Sequence, residues 1–202
     1  MPDIPLPKRV FGSETTRFIR PMRIGQEYVH VSELIGVRES GQLVLVNTRE
    51  QIADSEGPVV ETERVTVFMG DTPPGTKPAA VVVPIDAPWK ETRVLDAIDL
   101  FRFSAFTVNA HRAHYDQEWT SEVEGYPALL VHGPLTAMLL LDFALRNLKG
   151  SPASYEVRAM APLFVDERFQ LLGCPTPDGA DLWAISHSGI AMRAHLSMGA
   201  AA

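Results

Sequence analysis

The sequence predicts an α+β fold in which antiparallel strands surround one buried helix. Three observations carry this. Residues 16–69 hold β-prone runs broken by turn residues, residues 134–148 form a single run of strong helix formers, and four more strand-like runs follow it. Strands collected before and after a helix, instead of alternating with helices, favour antiparallel pairing.

In the first half, Tyr28-Val-His-Val31 is short and β-prone, Leu43-Val-Leu-Val-Asn-Thr48 is longer, and Arg64-Val-Thr-Val-Phe-Met69 follows the turn-forming Gly57-Pro58. Next comes Asp71-Thr-Pro-Pro-Gly-Thr-Lys-Pro78, with Pro84 and Pro88 behind it. So many residues that give up backbone hydrogen bonds read as a linker, and a boundary near residue 85 divides the chain into 1–85 and 86–202. Residues 94–106 suit a short strand or a helix, and periodicity does not choose between them. Residues 134–148 open on a proline tolerated in a first turn and stop at Lys149-Gly150, which predicts a helix. Its apolar side chains point in nearly every direction around the axis, so it should be wrapped by other elements. Strands are expected at 155–160, 168–172, 182–186 and 191–197.

A short internal repeat supports two related units. Arg20-Pro-Met-Arg-Ile-Gly-Gln-Glu-Tyr28 lies over Ala161-Pro-Leu-Phe-Val-Asp-Glu-Arg-Phe169, matching the proline, Ile24 with Val165, and Tyr28 with Phe169. A helix precedes the second copy. Only 19 residues, three of them proline, precede the first, so the first unit lacks its helix.

Composition narrows the function. A net charge of −7 is unlike a nucleic-acid-binding surface, which needs a basic stripe. The single cysteine, Cys174, has no disulfide partner and no basic neighbour in sequence, so it is read as inert. The N-terminal residues lack the apolar stretch of a signal peptide, and no apolar run reaches the roughly 20 residues that span a bilayer. A cytoplasmic protein with no membrane or nucleic-acid partner is expected. Gly-rich phosphate loops and a Gly-x-Ser-x-Gly elbow are absent, which removes nucleotide-dependent and serine-hydrolase readings.

Three of the six histidines, His111, His114 and His132, fall within residues 111–132. No further ligands at a recognised spacing accompany them, so no metal is expected. An imidazole exchanges protons near neutral pH, and the cluster runs up to a helix start at Gly133-Pro134, where unsatisfied N–H groups carry partial positive charge. That is a place to do chemistry.

The motifs Ser104-Ala, Asn109-Ala-His111-Arg112-Ala-His114-Tyr115-Asp116, Glu124-Gly-Tyr126-Pro and Val131-His132-Gly133-Pro134-Leu135 carry a resemblance. The stretch 101–135 resembles the MaoC-like, hot-dog-fold hydratases and dehydratases, above all the branch of type-2 3-hydroxyacyl-thioester dehydratases and mesaconyl- or itaconyl-CoA hydratases. Weaker similarity runs through most of the chain. The resemblance implies a double hot dog: residues 86–202 wrap a central helix and carry the site, and residues 1–85 are a truncated unit without its helix. It also implies a hydro-lyase that needs no cofactor, CoA entering only as part of the substrate. The wider family has an aspartate five positions before its histidine, and counting back from His114 gives Asn109. An amide neither takes nor gives a proton in the useful range.

Adding water to a 2-enoyl thioester, or removing it, needs a base, an acid and a donor to the thioester oxygen. His114 would serve as base and acid in turn, Asn109 would orient water or the 3-hydroxyl, and the Gly133 N–H would polarise the thioester. Each has a plainer alternative: a histidine satisfied by a carbonyl, a loop asparagine, simple helix-start packing. Arg112 suits a substrate carboxylate or a CoA phosphate, or else pairs with Asp116 or Glu118. His111, His132, Ser104 and Tyr126 complete the expected substrate pocket, with His132 also able to orient the loop. Two other functions compete with the hydro-lyase: a non-catalytic hot-dog subunit that binds acyl thioesters, suggested by Asn109 and the missing helix, and a thioesterase, since fold alone does not select chemistry. A sheet curved for a helix it lacks would expose apolar surface, so a homodimer is expected.

Overall fold

The computed structural model describes residues 4–70 and 86–199. Four strands come first: β1 (Lys8–Phe18), β2 (Val29–Ser40), β3 (Leu43–Asp54) and β4 (Gly57–Met69). After them come β5 (Trp89–Arg93), α1 (Ala97–Thr107), a single 3-10 turn at Arg112–His114, α2 (Gln117–Glu122) and the long α3 (Gly133–Asn147). The chain ends in β6 (Pro152–Ala159), β7 (Phe169–Thr176), β8 (Gly179–Ser186) and β9 (Gly189–Met198). The boundary expected near residue 85 lies outside the described residues, as does most of the linker. No helix among the described residues is long and apolar enough to cross a membrane.

The nine strands among the described residues form one antiparallel sheet in the order β2-β3-β4-β1-β6-β9-β8-β7-β5. The orders β2-β3-β4-β1 and β7-β8-β9-β6 match strand for strand and meet at the β1–β6 pair, where Thr15 faces Glu156. The two copies of the sequence repeat occupy equivalent places, entering β2 in one half and β7 in the other. Every helix among the described residues lies between Ala97 and Asn147.

Local chemistry explains the helices. Asp96 caps α1 and accepts from the Asp99 N–H while the Asp99 carboxylate accepts from the Asp96 N–H, a reciprocal box that settles the ambiguity at 94–106 as a helix from Ala97. Helix α3 runs as expected with Pro134 in its first turn. It is not wrapped on all sides, however. Leu140, Phe143 and Ala144 are buried on the sheet, but Met138 and Leu145 face outward at 54% and 38% exposure. The run is more apolar than its own burial requires.

Strand β1 is the element the sequence hid. Its Lys-Arg-Val-Phe-Gly-Ser-Glu-Thr-Thr-Arg-Phe has little alternation and follows three prolines, yet it sits inside the sheet between β4 and β6. Long-range pairing on both edges overrides weak local propensity. A bulge between Phe11 and Ser13 centres on Gly12, where a Cβ would lie 2.8 Å from the Val65 carbonyl oxygen. The core lies beneath α3: Leu100 and Leu140 pack with Leu171, Leu182, Met192 and Leu196 of β7, β8 and β9.

Candidate active site

The residues after α1 are shaped by one backbone reversal. Val108 takes a left-handed φ of 53° and ends α1, and the Asn109 N–H then donates to the Ser104 carbonyl at 2.9 Å. The Asn109 side-chain oxygen accepts the His111 N–H at 3.1 Å, which leaves the amide's NH2 as a donor without a protein partner among the described residues. The 3-10 turn carries His114 inward. Its ring Nδ1–H donates to the Leu130 carbonyl at 2.8 Å, and the Leu130 N–H returns to the Ala113 carbonyl at 2.9 Å. Leu130 also bridges to Phe164, so this loop is tied to the sheet side.

The three histidines meet. The His114 ring stacks on His132 with centroids 3.6 Å apart and planes 21° from parallel, and His111 stands edge-on to His114 at 5.3 Å. Burial pushes the pKa of His114 down to about 4; the Leu130 carbonyl opposes this and the nearby His111 adds to it. Burial first, then His114 and His111, push His132 down to about 3. Both rings are neutral bases at neutral pH. With Nδ1–H committed to Leu130, His114 presents Nε2 as a lone pair with no partner among the described residues. His132 is sealed: Nε2 lies 2.8 Å from the Ser104 hydroxyl, and its buried Nδ1 has no partner among the described residues.

His132 is also the N-cap residue of α3, although its side chain does not cap the helix. The helix ladder begins with the Thr136 N–H donating to the His132 carbonyl at 3.1 Å, so the Gly133 N–H has no acceptor within the helix. A free N–H with partial positive charge therefore follows directly on the imidazole that stacks on His114. Phe11 of β1 closes this end, its side chain within 3.0–3.1 Å of where a Gly133 Cβ would stand. Two clefts flank the helix start. One of about 670 Å³ is lined by Asn109, His111, Phe103 and Pro134, with Arg9 and Arg64 from the first-half strands. The other, about 460 Å³, lies between β5, α1 and α3 and is lined by Phe103, Phe106, Leu135 and Leu139, with Arg93 and Arg102.

The sequence profile of the type 2 hydroxyacyl-thioester dehydratases matches residues 1–165. The chain belongs to this family. Among its curated relatives, mesaconyl-C(4)-CoA hydratase of Chloroflexus aurantiacus is 37% identical over 194 residues, covering 94% of this chain and 69% of that protein. This dehydratase-family chain is thus an acyl-CoA hydratase/dehydratase. Its fold is the MaoC-like hot dog: a MaoC-like dehydratase from Phytophthora capsici superposes with a TM-score of 0.79 at 18% identity, covering 99% of this chain and 75% of that one. HtdX of Mycobacterium tuberculosis gives 0.77 at 16%, covering 95% and 77%.

In this dehydratase-family site the structure brings together His111, His114, His132, Ser104, Asn109 and Gly133. Of the expected residues only Asn109 and His111 line either cleft, and Arg112 and Tyr126 have partners away from the histidine cluster. Arg112 holds Asp116 through Nε and Nη2 at 3.0 and 2.6 Å and lies 4.0 Å over the Trp119 ring, the ion-pair alternative weighed from sequence. Tyr126 lines neither cleft; it packs toward Phe164, under the Lys8 ammonium 5.1 Å from its ring, and burial pushes its pKa up. Glu124 is the residue sequence reasoning passed over. Its buried carboxylate accepts the His111 Nε2–H at 2.9 Å, and its carbonyl accepts from Lys8 Nζ at 2.7 Å. Its signal was a carboxylate inside the Glu-Gly-Tyr-Pro motif. Phe103 edges against His132 at 4.8 Å and separates the clefts. Among the described residues no three of His, Cys, Asp and Glu are grouped to hold a metal ion.

Proposed function

We propose that the chain adds water across the 2,3 bond of an enoyl-CoA thioester, or removes it from the 3-hydroxyacyl form, with His114 as the acid/base group. The observation that carries this is the state of His114: neutral by burial, fixed through Nδ1–H to Leu130, and stacked on His132, the residue directly before the N–H that opens α3.

In the hydration direction the Gly133 N–H donates to the thioester oxygen and draws electron density from C3. Nε2 of His114 takes a proton from water while the water oxygen bonds to C3, and the electrons of the double bond move onto the thioester as an enolate. The imidazolium then returns its proton to C2. One water is consumed, and no group remains changed. The unpartnered NH2 of Asn109 donates to the water oxygen, which orients it without proton transfer. The sheet supports the wider reading of a double hot dog with a degenerate first unit: the two halves share one strand order, and residues 4–70 are strands and turns. We further propose that the chain works as a homodimer.

The test follows absorbance of the enoyl thioester with crotonyl-, mesaconyl- and itaconyl-CoA. The expected result is turnover that falls by 100-fold or more, within the range of about 10²–10⁴ for a lost acid/base group, in His114→Ala of unchanged thermal midpoint. Release of free thiol without loss of the double bond would overturn the reading in favour of a thioesterase, and full activity in His114→Ala would remove His114 from the chemistry.

A further inference from the structure

We infer that Glu124 is a positioning residue for the reaction: its buried carboxylate holds His111 in place and supplies a fixed negative charge for the imidazolium that His114 becomes while it carries the proton. This rests on the hydration reading above.

The need arises from burial. The surroundings that keep His114 neutral also oppose the cation it must become in mid-reaction. A countercharge felt only in that state lowers the barrier without tightening the hold on substrate. His132 does not provide it, since its own ring is buried and stands against a cation on its face. Asp116, two residues from His114, is already matched by Arg112 at 2.6 Å. Of the charged neighbours of His114, His111 works against a cation there and Glu124 in its favour.

Glu124 is held firmly enough to do this. It stands just after α2, where its N–H donates to the Trp119 carbonyl at 3.2 Å and its carbonyl accepts Lys8 Nζ at 2.7 Å. Gly125, at a φ of 71°, then turns the chain so that the Tyr126 N–H returns to the Thr120 carbonyl at 3.0 Å. The side chain is left 10% exposed, and Oε1 accepts the His111 Nε2–H at 2.9 Å. Withdrawing a carboxylate from water is costly. A bond that only tied the loop together needs no charge: the Tyr115 hydroxyl does this with the Ala110 carbonyl at 3.0 Å. Here the carboxylate sits one ring behind His114, because His111 stands edge-on to it with centroids 5.3 Å apart. The backbone of His111 is fixed as well, through Asn109 Oδ1. A charge in such a shielded place acts more strongly than one at the surface.

The experiment compares Glu124→Gln and Glu124→Asp at pH 8, above the ordinary imidazole value of about 6.5, by absorbance of crotonyl-, mesaconyl- and itaconyl-CoA. The glutamine carbonyl still accepts the His111 Nε2–H, so the charge alone is lost. Aspartate keeps the charge but falls one methylene short of the bond. In Glu124→Gln, kcat should fall about tenfold or more with KM within about twofold, as for an interaction made only in the transition state. Glu124→Asp should recover part of the rate, with both variants shown to be folded by their thermal midpoints. The reverse order, glutamine near the wild type and aspartate impaired, would make Glu124 a structural tie and overturn the inference. So would a rise in KM at unchanged kcat. Turnover that His114→Ala abolishes and Glu124→Gln keeps would remove this role alone, whereas a wild type that hydrates no enoyl thioester would take down the reaction and the role with it.

Discussion

His114 and His132 stack so closely, and are so far withdrawn from water, that the folded chain resists protonating either. Both folded pKa values lie below the ordinary 6.5. Above that value neither folded nor unfolded chain binds these protons, and stability is whole. As pH falls from 6.5 toward 4, the unfolded chain takes up protons that the native rings refuse, so stability falls by about 2 kcal/mol per histidine at pH 5. His195, raised by its bond to Asp181, acts in the opposite sense and offsets part of this. The thermal midpoint should therefore drop between pH 7 and pH 5, and drop less in His132→Asn; equal drops in the two proteins would refute the account. The same lowered pKa predicts that kcat/KM for hydration keeps its base form well below pH 6. The histidines were legible in the sequence because they cluster beside a helix start. Glu124 was not, since its burial is set by contacts with the distant strand β1 through Lys8.

Helix α3 and strand β1 meet at Gly133 against Phe11, and this contact, like that of Lys8 with Glu124, brings the first half of the chain to the site. An alanine Cβ at 133 would stand 3.0 Å from the Phe11 Cβ, which is fixed to the backbone and cannot swing aside. Gly133→Ala should destabilise by about 1–2 kcal/mol in urea unfolding. In a Phe11→Ala background, with the ring gone, the added cost should be smaller by at least about 0.5 kcal/mol. Strictly additive costs would show that the two residues do not constrain each other. The elements themselves were unequally legible. Runs of strong helix formers and alternating strands such as β8 declare themselves locally, so α3 and β6 to β9 stood within a few residues of expectation. Strand β1 did not, because its place depends on partners about 50 residues away in β4 and about 140 away in β6. The 5-residue β5 pairs on one edge, with β7, and is tied to α3 through Glu91 and Arg146.

One sheet runs through both halves, but only one half carries helices among the described residues, and this leaves apolar surface on both flanks. On the β2 edge, Val29, Val31, Leu34 and Val37 are each half-exposed or more, along a 12-residue strand with no buried residue. A long apolar edge strand is an association site unless something covers it. On the helical flank, Ile98 and Phe101 of α1 and Met138 and Leu145 of α3 are also exposed. A second copy of the chain supplies cover without any other partner, and a two-fold axis brings the same patch against itself. Light scattering should give a mass of about twice 22.2 kDa. Val31→Lys tests the strand edge and Met138→Lys the helical flank, and the one that yields folded monomer identifies the buried face. A wild type that is monomeric at micromolar concentration would refute the dimer. It would also mean that the chain tolerates both apolar flanks in water, which the physics of exposed edges disfavours.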